Sequence, residues 1–308
     1  MHTLSIFFSV DHTYLLIVED EPKGLRLKYI NSTTHKINLL NPDEESSIAG
    51  KTELDEIFSK LPHQPEQIVV TIPAENVLVS NFPGNKDISL NDLRKLVELE
   101  IKKNFPQFNY NDFSSTVIPL LPGLDGKQMM TGIIISKDVL SSCMSLLKKF
   151  QLPIKHIDIS QLNTHSSFIY NYPEFADKSV LFFGIKNRFI DISVIKNKKP
   201  VYYNLVSYKN PERICDICQN EYEHIIGKYV NPIDVACFFG YELNSDIFSK
   251  ASSKFTESGI IILRLNAFRM MTSSISDRDK EYCSRTAHIY PPCTGACIPI
   301  YHDRIKLV

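Results

Sequence analysis

Gln67-Ile68-Val69-Val70-Thr71-Ile72-Pro73, then Val77-Leu78-Val79-Ser80-Asn81-Phe82-Pro83, then a run from Ser89 to Asn104-Phe105-Pro106: these forty residues set the reading of the whole chain. Ile68–Ile72 is a nearly continuous apolar strand that Pro73 ends, and Val77–Phe82 alternates as a second strand. Ser89 reads as a helix N-cap with Asp92 three residues on. Leu90, Leu93, Leu96, Val97 and Ile101 then form one apolar stripe before Pro106 closes the helix.

Working outward on the C-terminal side, a strand over Ser114–Leu121, a turn with Gly123 and Gly126, a strand Met129–Ser136 and a helix Lys137–Phe150 complete an α+β module. Its expected span is 66–150. On the N-terminal side, Leu4–Val10, Tyr14–Glu19 and Leu25–Asn31 read as a three-strand meander, followed by a helix over Glu53–Leu61. Strand Ile154–Ile159 and helix Ser160–Tyr170 resume the first unit beyond the module. From Lys178 the theme repeats: strands Val180–Ile185, Phe189–Ile195 and Pro200–Tyr208, helix Pro211–Gly227, strand Ile233–Phe239, helix Ile247–Thr256 and strand Ile260–Leu265. The expected organisation is 1–65 plus 151–177 as a first domain, 66–150 inserted, and 178–308 as a second domain whose C-terminal segment packs back on the first.

Composition fits a globular chain: 308 residues, 43% apolar and 22% charged. The balance of 34 Lys+Arg against 35 Asp+Glu leaves a formal charge of −1, so no global field recruits nucleic acid. Leu4–Val10 lacks a preceding Lys or Arg and is interrupted by Asp11 and His12, which favours a strand over a signal-peptide core. No run approaches the ~20 apolar residues of a membrane helix. Seven scattered cysteines fit a reducing compartment. Glycine is scarce, 11 residues against a usual share near ~7%, and few glycines mean few places where backbone can wrap a phosphate.

Two meander-helix-strand-helix halves, the first interrupted by an insertion, describe an actin-like architecture. The local strings resemble the PilM family of actin-like proteins, which belong to type IV pilus inner-membrane platforms and are related to FtsA. The resemblance rests on the two Pro-ended strands, the helix with Leu93, Glu98 and Glu100 ending at Phe105-Pro106, the Ile157-Asp158 strand end, Asn266-Ala267-Phe268-Arg269 and Gly295-Ala296. It implies an α/β, ribonuclease H-like two-domain ATPase fold with an inserted α+β subdomain of the SHS2/1C kind. It further implies a cytoplasmic protein, peripheral on the inner membrane, that holds the tail of a bitopic PilN-like partner and contacts pilus motor ATPases. The tail is expected in a groove where the inserted module meets the first unit.

The nucleotide loops depart from that family. Actin-like ATPases place an Asp and a Gly in each of two hairpins, for the Mg²⁺ hydration shell and for close approach of backbone N–H groups to phosphate. The first hairpin here reads Ser9-Val10-Asp11, with Leu16 where the family has Lys. The second reads Gly184-Ile185-Lys186, followed by Asn187-Arg188-Phe189, and the adenosine loop is Phe239-Gly240-Tyr241. No G-x-G occurs. The expectation is therefore a pseudo-ATPase with no cofactor. If a nucleotide cleft survives, its residues would be Asp11, Gly184, Lys186, Asn187 and Gly240, and the Lys and Arg of the second hairpin could attract an anion. The competing reading is an active actin-like ATPase or small-molecule kinase whose loops align differently.

Other chemistry is weak. Cys215-x-x-Cys218 has metal-like spacing, and Cys293, Cys297 and His288 could complete a site, but Ile214, Ile217, Cys218 and Ile225 share a helical stripe that reads as core. No G-x-S-x-G elbow is present. An FtsA-like filament former would carry a C-terminal amphipathic helix, and Ile300–Val308 is too short and too charged for one.

Overall fold

The computed structural model describes residues 1–84, 87–255 and 259–298, together with the backbone of 306–307. Its elements fall into two compact units, the first formed by 1–76, 137–172 and 266–300, the second by 77–136, 173–265 and 301–308.

The first unit contains β1 (His2–Phe8), β2 (Thr13–Glu21), β3 (Gly24–Ser32), α1 (Glu45–Ser59), β4 (Gln67–Ile72), α3 (Lys137–Lys148), β8 (Ile154–Ile159), α4 (Ser160–Asn171), β14 (Thr272–Ser273), α7 (Asp277–Thr286) and α8 (Pro291–Ala296). Its sheet runs β14-β3-β2-β1-β4-β8. β1 pairs antiparallel with β2 and parallel with β4, which pairs parallel with β8. The strand expected to open the inserted module is thus a central strand of the first sheet. Ile68–Ile72 is buried at every position, the pattern of a parallel strand covered on both faces, whereas a strand with one wet face alternates. The excursion out of this unit begins at Val77 and ends at Ser136, and α3 clusters with the first unit.

α4 is unusual because eight of its polar side chains are buried. Several are answered from within the unit: Asn163 Nδ2 donates to Thr71 Oγ1 at 2.8 Å, Ser167 Oγ lies 2.7 Å from Thr294 Oγ1, and Asn171 Nδ2 donates to the Ala267 carbonyl at 3.0 Å. α8 presses on α4 closely enough that a Cβ at Gly295 would overlap the Asn163 carbonyl. β14, α7 and α8 have no counterpart in the sequence reading. α7 is almost wholly polar and α8 opens on Pro291-Pro292, so neither shows an apolar stripe.

The second unit contains β5 (Val77–Pro83), α2 (Leu90–Asn104), β6 (Phe113–Pro119), β7 (Met129–Ser136), β9 (Ser179–Lys186), β10 (Phe189–Lys196), β11 (Lys199–Ser207), α5 (Ile214–Lys228), β12 (Val235–Phe239), α6 (Ser245–Ser253), β13 (Ile261–Arg264) and β15 (Lys306–Leu307). Its larger sheet, β11-β10-β9-β12-β13, repeats the meander-plus-parallel theme, while β15-β6-β7-β5 forms a small sheet over Leu93, Val97 and Ile101 of α2. Ser89 caps α2, accepting from Asp92 N. The small sheet is tied to the larger one by Asn81 Nδ2 on the Tyr203 carbonyl (2.8 Å) and Leu121 N on the Pro200 carbonyl (2.9 Å). Thr256, where α6 was expected to end, and most of Ile300–Val308 lie outside the described residues. No helix among the described residues is long and apolar enough to cross a membrane.

Candidate functional site

In a sheet of this kind ligands gather where parallel strands end and strand order reverses. That edge carries the β1–β2 turn in the first unit and the β9–β10 turn in the second.

In the first unit the turn closes on itself. Ser9 N donates to the His12 carbonyl (3.0 Å), and Asp11 is the hub of the turn. Its Oδ1 accepts from Ser9 Oγ (2.6 Å), and its Oδ2 accepts from Tyr14 Oη (3.0 Å) and lies 2.9 Å from His12 Nδ1. Both carboxylate oxygens are therefore engaged by the protein. At the same strand end, burial pushes the Asp158 carboxyl up to about 7 against the lowering effect of the Ile159 N–H that it accepts at 2.7 Å.

In the second unit Lys186 pairs across the hairpin with Phe189, and Gly184 with Asp191. The Lys186 side chain turns into the sheet, where Nζ lies 2.9 Å from Asp191 Oδ2, with the two side chains 2% and 0% exposed. Asn187 N–H donates to Tyr241 Oη at 3.1 Å, and Tyr208 Oη donates to the Lys186 carbonyl at 2.6 Å. Arg188 takes the second turn position at φ +65°. A Cβ at Gly184 would stand 2.5 Å from the Phe239 ring, and one at Gly240, where φ is +108°, would overlap the Ile185 carbonyl. Both glycines thus serve the close approach of β12 and its following turn to β9.

The five residues singled out from the sequence therefore divide by unit. Gly184, Lys186, Asn187 and Gly240 are brought together in the second, each spent on a partner from the same unit, while Asp11 stands in the first. Of the metal-like set, Cys218 lies in the core of the second unit with Ile214 and Ile225. Among the described residues no three His, Cys, Asp or Glu side chains converge as a metal site.

A groove of about 700 Å³ lies in the first unit between the strap of residues 33–44 and α3, and sequence reasoning, which expected a groove where the 66–150 stretch meets the first unit, named none of its residues. Its walls include Ile37, Leu39 and Leu40 on one side and Ser141, Ser145 and Leu146 on the other. The strap is pinned by Glu53 of α1. That carboxylate accepts from Thr34 N (2.5 Å) and His35 N (3.2 Å) and bonds Thr34 Oγ1 and His35 Nδ1. Burial alone would raise its pKa, but these hydrogen bonds outweigh it and hold the group down at about 2. Gly50 lets α1 approach: a Cβ there would come within 2.7 Å of the Lys36 carbonyl. Among the described residues, the Ile37 and Leu39 N–H groups have no hydrogen-bond partner. The helix expected at Glu53 starts at Glu45 because its first two turns pack on this strap rather than along an apolar stripe. The one signal available was Gly50 at the centre of an otherwise helix-forming run.

No protein family and no curated protein sequence matches the chain. Solved structures do. A chain of a structure described as a PilM–PilN type IV pilus biogenesis complex superposes at a TM-score of 0.74 and 13% identity, over 96% of this chain and 97% of that one. A Bacteroides thetaiotaomicron protein described as having an actin-like ATPase fold and unknown function matches at 0.52 and 12%, over 85% and 90%. The cytoplasmic domain of EpsL, an inner-membrane component of the Vibrio cholerae type II secretion system, matches at 0.50 and 11%, over 87% and 98%. The fold is the PilM-like actin fold.

Proposed function

We propose that the chain is a cytoplasmic actin-like scaffold of a type IV pilus or related secretion platform, held at the inner membrane by the tail of a bitopic, PilN-like partner. The observation that carries this reading is the superposition along 96% of the chain onto a protein from a complex described as PilM–PilN. The groove beside α3 is the receptor we assign to the tail. It offers apolar anchors in Leu39, Leu40 and Leu146, and the Ile37 and Leu39 N–H groups can pair with an extended segment as in strand addition.

The same reading makes the protein a pseudo-ATPase. A phosphate at the second hairpin would have to displace the Tyr241 hydroxyl from Asn187 N–H and pull Lys186 away from Asp191. The glycines that would admit it are occupied by Phe239 and Ile185. Titration of the protein with Mg-ATP should give no measurable heat, and micromolar affinity would overturn this part of the reading. Co-expression with a tagged bitopic partner bearing a PilN-like tail should recover both proteins together. Leu40→Asp and Ser145→Arg, two exposed groove positions, should abolish that recovery; if both variants still co-purify, the groove is not the receptor.

A further inference from the structure

A cavity of about 260 Å³ opens in the first unit where β1 and β4 begin, at the end of the sheet away from the β1–β2 turn and beside the last turn of α8. It shares no lining residue with the groove beside α3. Val18, Val69 and Ile298 give it an apolar lining, and polar groups are held in place around them. Gln67 Nε2 donates to Thr3 Oγ1 at 2.8 Å, and Tyr170 Oη accepts the Leu25 N–H at 2.8 Å. The second contact depends on Gly24, at φ +123°, where a Cβ would stand 2.6 Å from that oxygen. Among the described residues the Tyr170 hydroxyl proton has no acceptor, so it is open to whatever enters.

Lys155 and Asp20 bring opposite charges to this cavity. Lys155 is the extra residue of a β-bulge in β8, where Ile154 pairs with Ile68 and His156 with Val69. A bulge re-aims the side chain it carries, and Lys155 lines the cavity together with its neighbour His156. Asp20 lines it from β2. Neither makes an ion pair among the described residues. β2, β1, β4 and β8 are successive strands, with Asp20 level with Met1 and Lys155 level with Leu4 and Ser5. Strand spacing and rise therefore set the two backbones roughly 18 Å apart. At that separation the two charges do not neutralise one another, and the cavity between them is complementary to a ligand that carries both.

We propose that the cavity is a site for a free dipeptide, its carboxylate on Lys155, its ammonium on Asp20, and its one peptide group between the Tyr170 hydroxyl and the Gln67 amide. Two extended residues reach about 7 Å, and a charge-assisted contact of about 2.8 Å at each end lets them span what the Lys and Asp side chains leave of the interval. A ligand with a single charge leaves the opposite wall unanswered, which separates a zwitterion from a simple anion or amine. The inference does not depend on the partner-binding groove.

The test is calorimetric titration of the full chain with alanyl-leucine, with N-acetyl-alanyl-leucine and with alanyl-leucine amide, the last two each lacking one end charge. The free dipeptide should saturate the protein, and each capped form should bind at least ~10-fold more weakly, the worth of one charge-assisted hydrogen bond. Two variants assign the ends. Asp20→Asn should bind the free and acetylated forms alike while still preferring the free form to the amide, and Lys155→Met should do the reverse. Both positions are exposed, and unchanged thermal unfolding would show that the variants remain folded. Absence of saturation with every peptide at millimolar concentration, equal binding of all three by the parent, or variants that keep the parent's full preferences would each overturn the proposal.

Discussion

Lys186 Nζ sits 2.9 Å from Asp191 Oδ2 at the tip of the β9–β10 hairpin, and the pair is shut off from solvent. A buried ion pair gains little over a well-packed apolar pair, but breaking it strands a charge, at a cost of about 3–5 kcal/mol. Lys186→Met should therefore lower stability by about that amount, since Asp191 is left buried without its cation. Lys186→Met combined with Asp191→Leu should recover most of the loss. Urea denaturation of the three proteins measures it, and a double variant no better than the single one would mean that the pair is not the source.

Gly240 and Gly227 make opposite predictions. At Gly240 an added methyl meets the Ile185 carbonyl and the backbone sits at φ +108°, so Gly240→Ala should cost more than ~3 kcal/mol through overpacking and strain together. Gly227 lies exposed in α5 with open space around it. Gly227→Ala should stabilise by about 0.5–1 kcal/mol, the difference in helix propensity. Thermal unfolding should shift down for the first and up for the second.

The β10–β11 turn holds Asn197 at φ +51° and Lys198 at φ +60°. Two left-handed central residues define a type I′ hairpin turn, for which Asn-Gly is the preferred pair. Asn197 suits its place, and Lys198 is strained. Lys198→Gly should raise stability by about 0.5–1 kcal/mol, read as a higher denaturation midpoint with an unchanged slope. A drop would mean that contacts of the Lys198 side chain outweigh the backbone strain.

The strands were legible because their signals are local. Ile154–Ile159 and Met129–Ser136 are bounded by the residues the sequence indicates, since runs of β-branched residues between polar turns need no tertiary information. The strap and the start of α1 were not. Their order comes from Glu53 answering Thr34 and His35 eighteen or nineteen residues away, and no periodicity records such a partnership. The hairpins lie between these cases. The sequence shows that Gly184, Lys186 and Gly240 are out of pattern, while only the structure shows that Phe239, Asp191 and Ile185 are the groups they meet. The boundary of the insertion shifted because Ile68–Ile72 was read as a beginning, when its uninterrupted apolar run marks the middle of a parallel sheet.

His165 gives the fold a pH dependence with a definite sign. It is buried in α4, a helix with no charged residue, with Gln161 Nε2 at 3.4 Å from its Nε2. Burial holds its pKa down at about 3, against 6.5 ordinarily. In the unfolded chain the imidazole takes a proton as pH falls through 6.5, while in the folded protein it stays neutral until about 3. Between those values the unfolded state binds more protons, so stability is full above 6.5 and is lost on acidification, by at most about 1.4 kcal/mol per pH unit. Glu53 adds a loss of the same sign, but only below its ordinary 4.5, whereas Asp158, raised to about 7, takes up its proton in the folded state first and opposes the histidine between pH ~7 and ~5. Urea midpoints on acidification across that interval should stay nearly flat for the parent protein, where the two groups oppose each other, and rise for His165→Gln, where only the Asp158 contribution remains. Parallel slopes in the two proteins would mean that His165 is not kept neutral by its burial, and that the polar interior of α4 admits a charge.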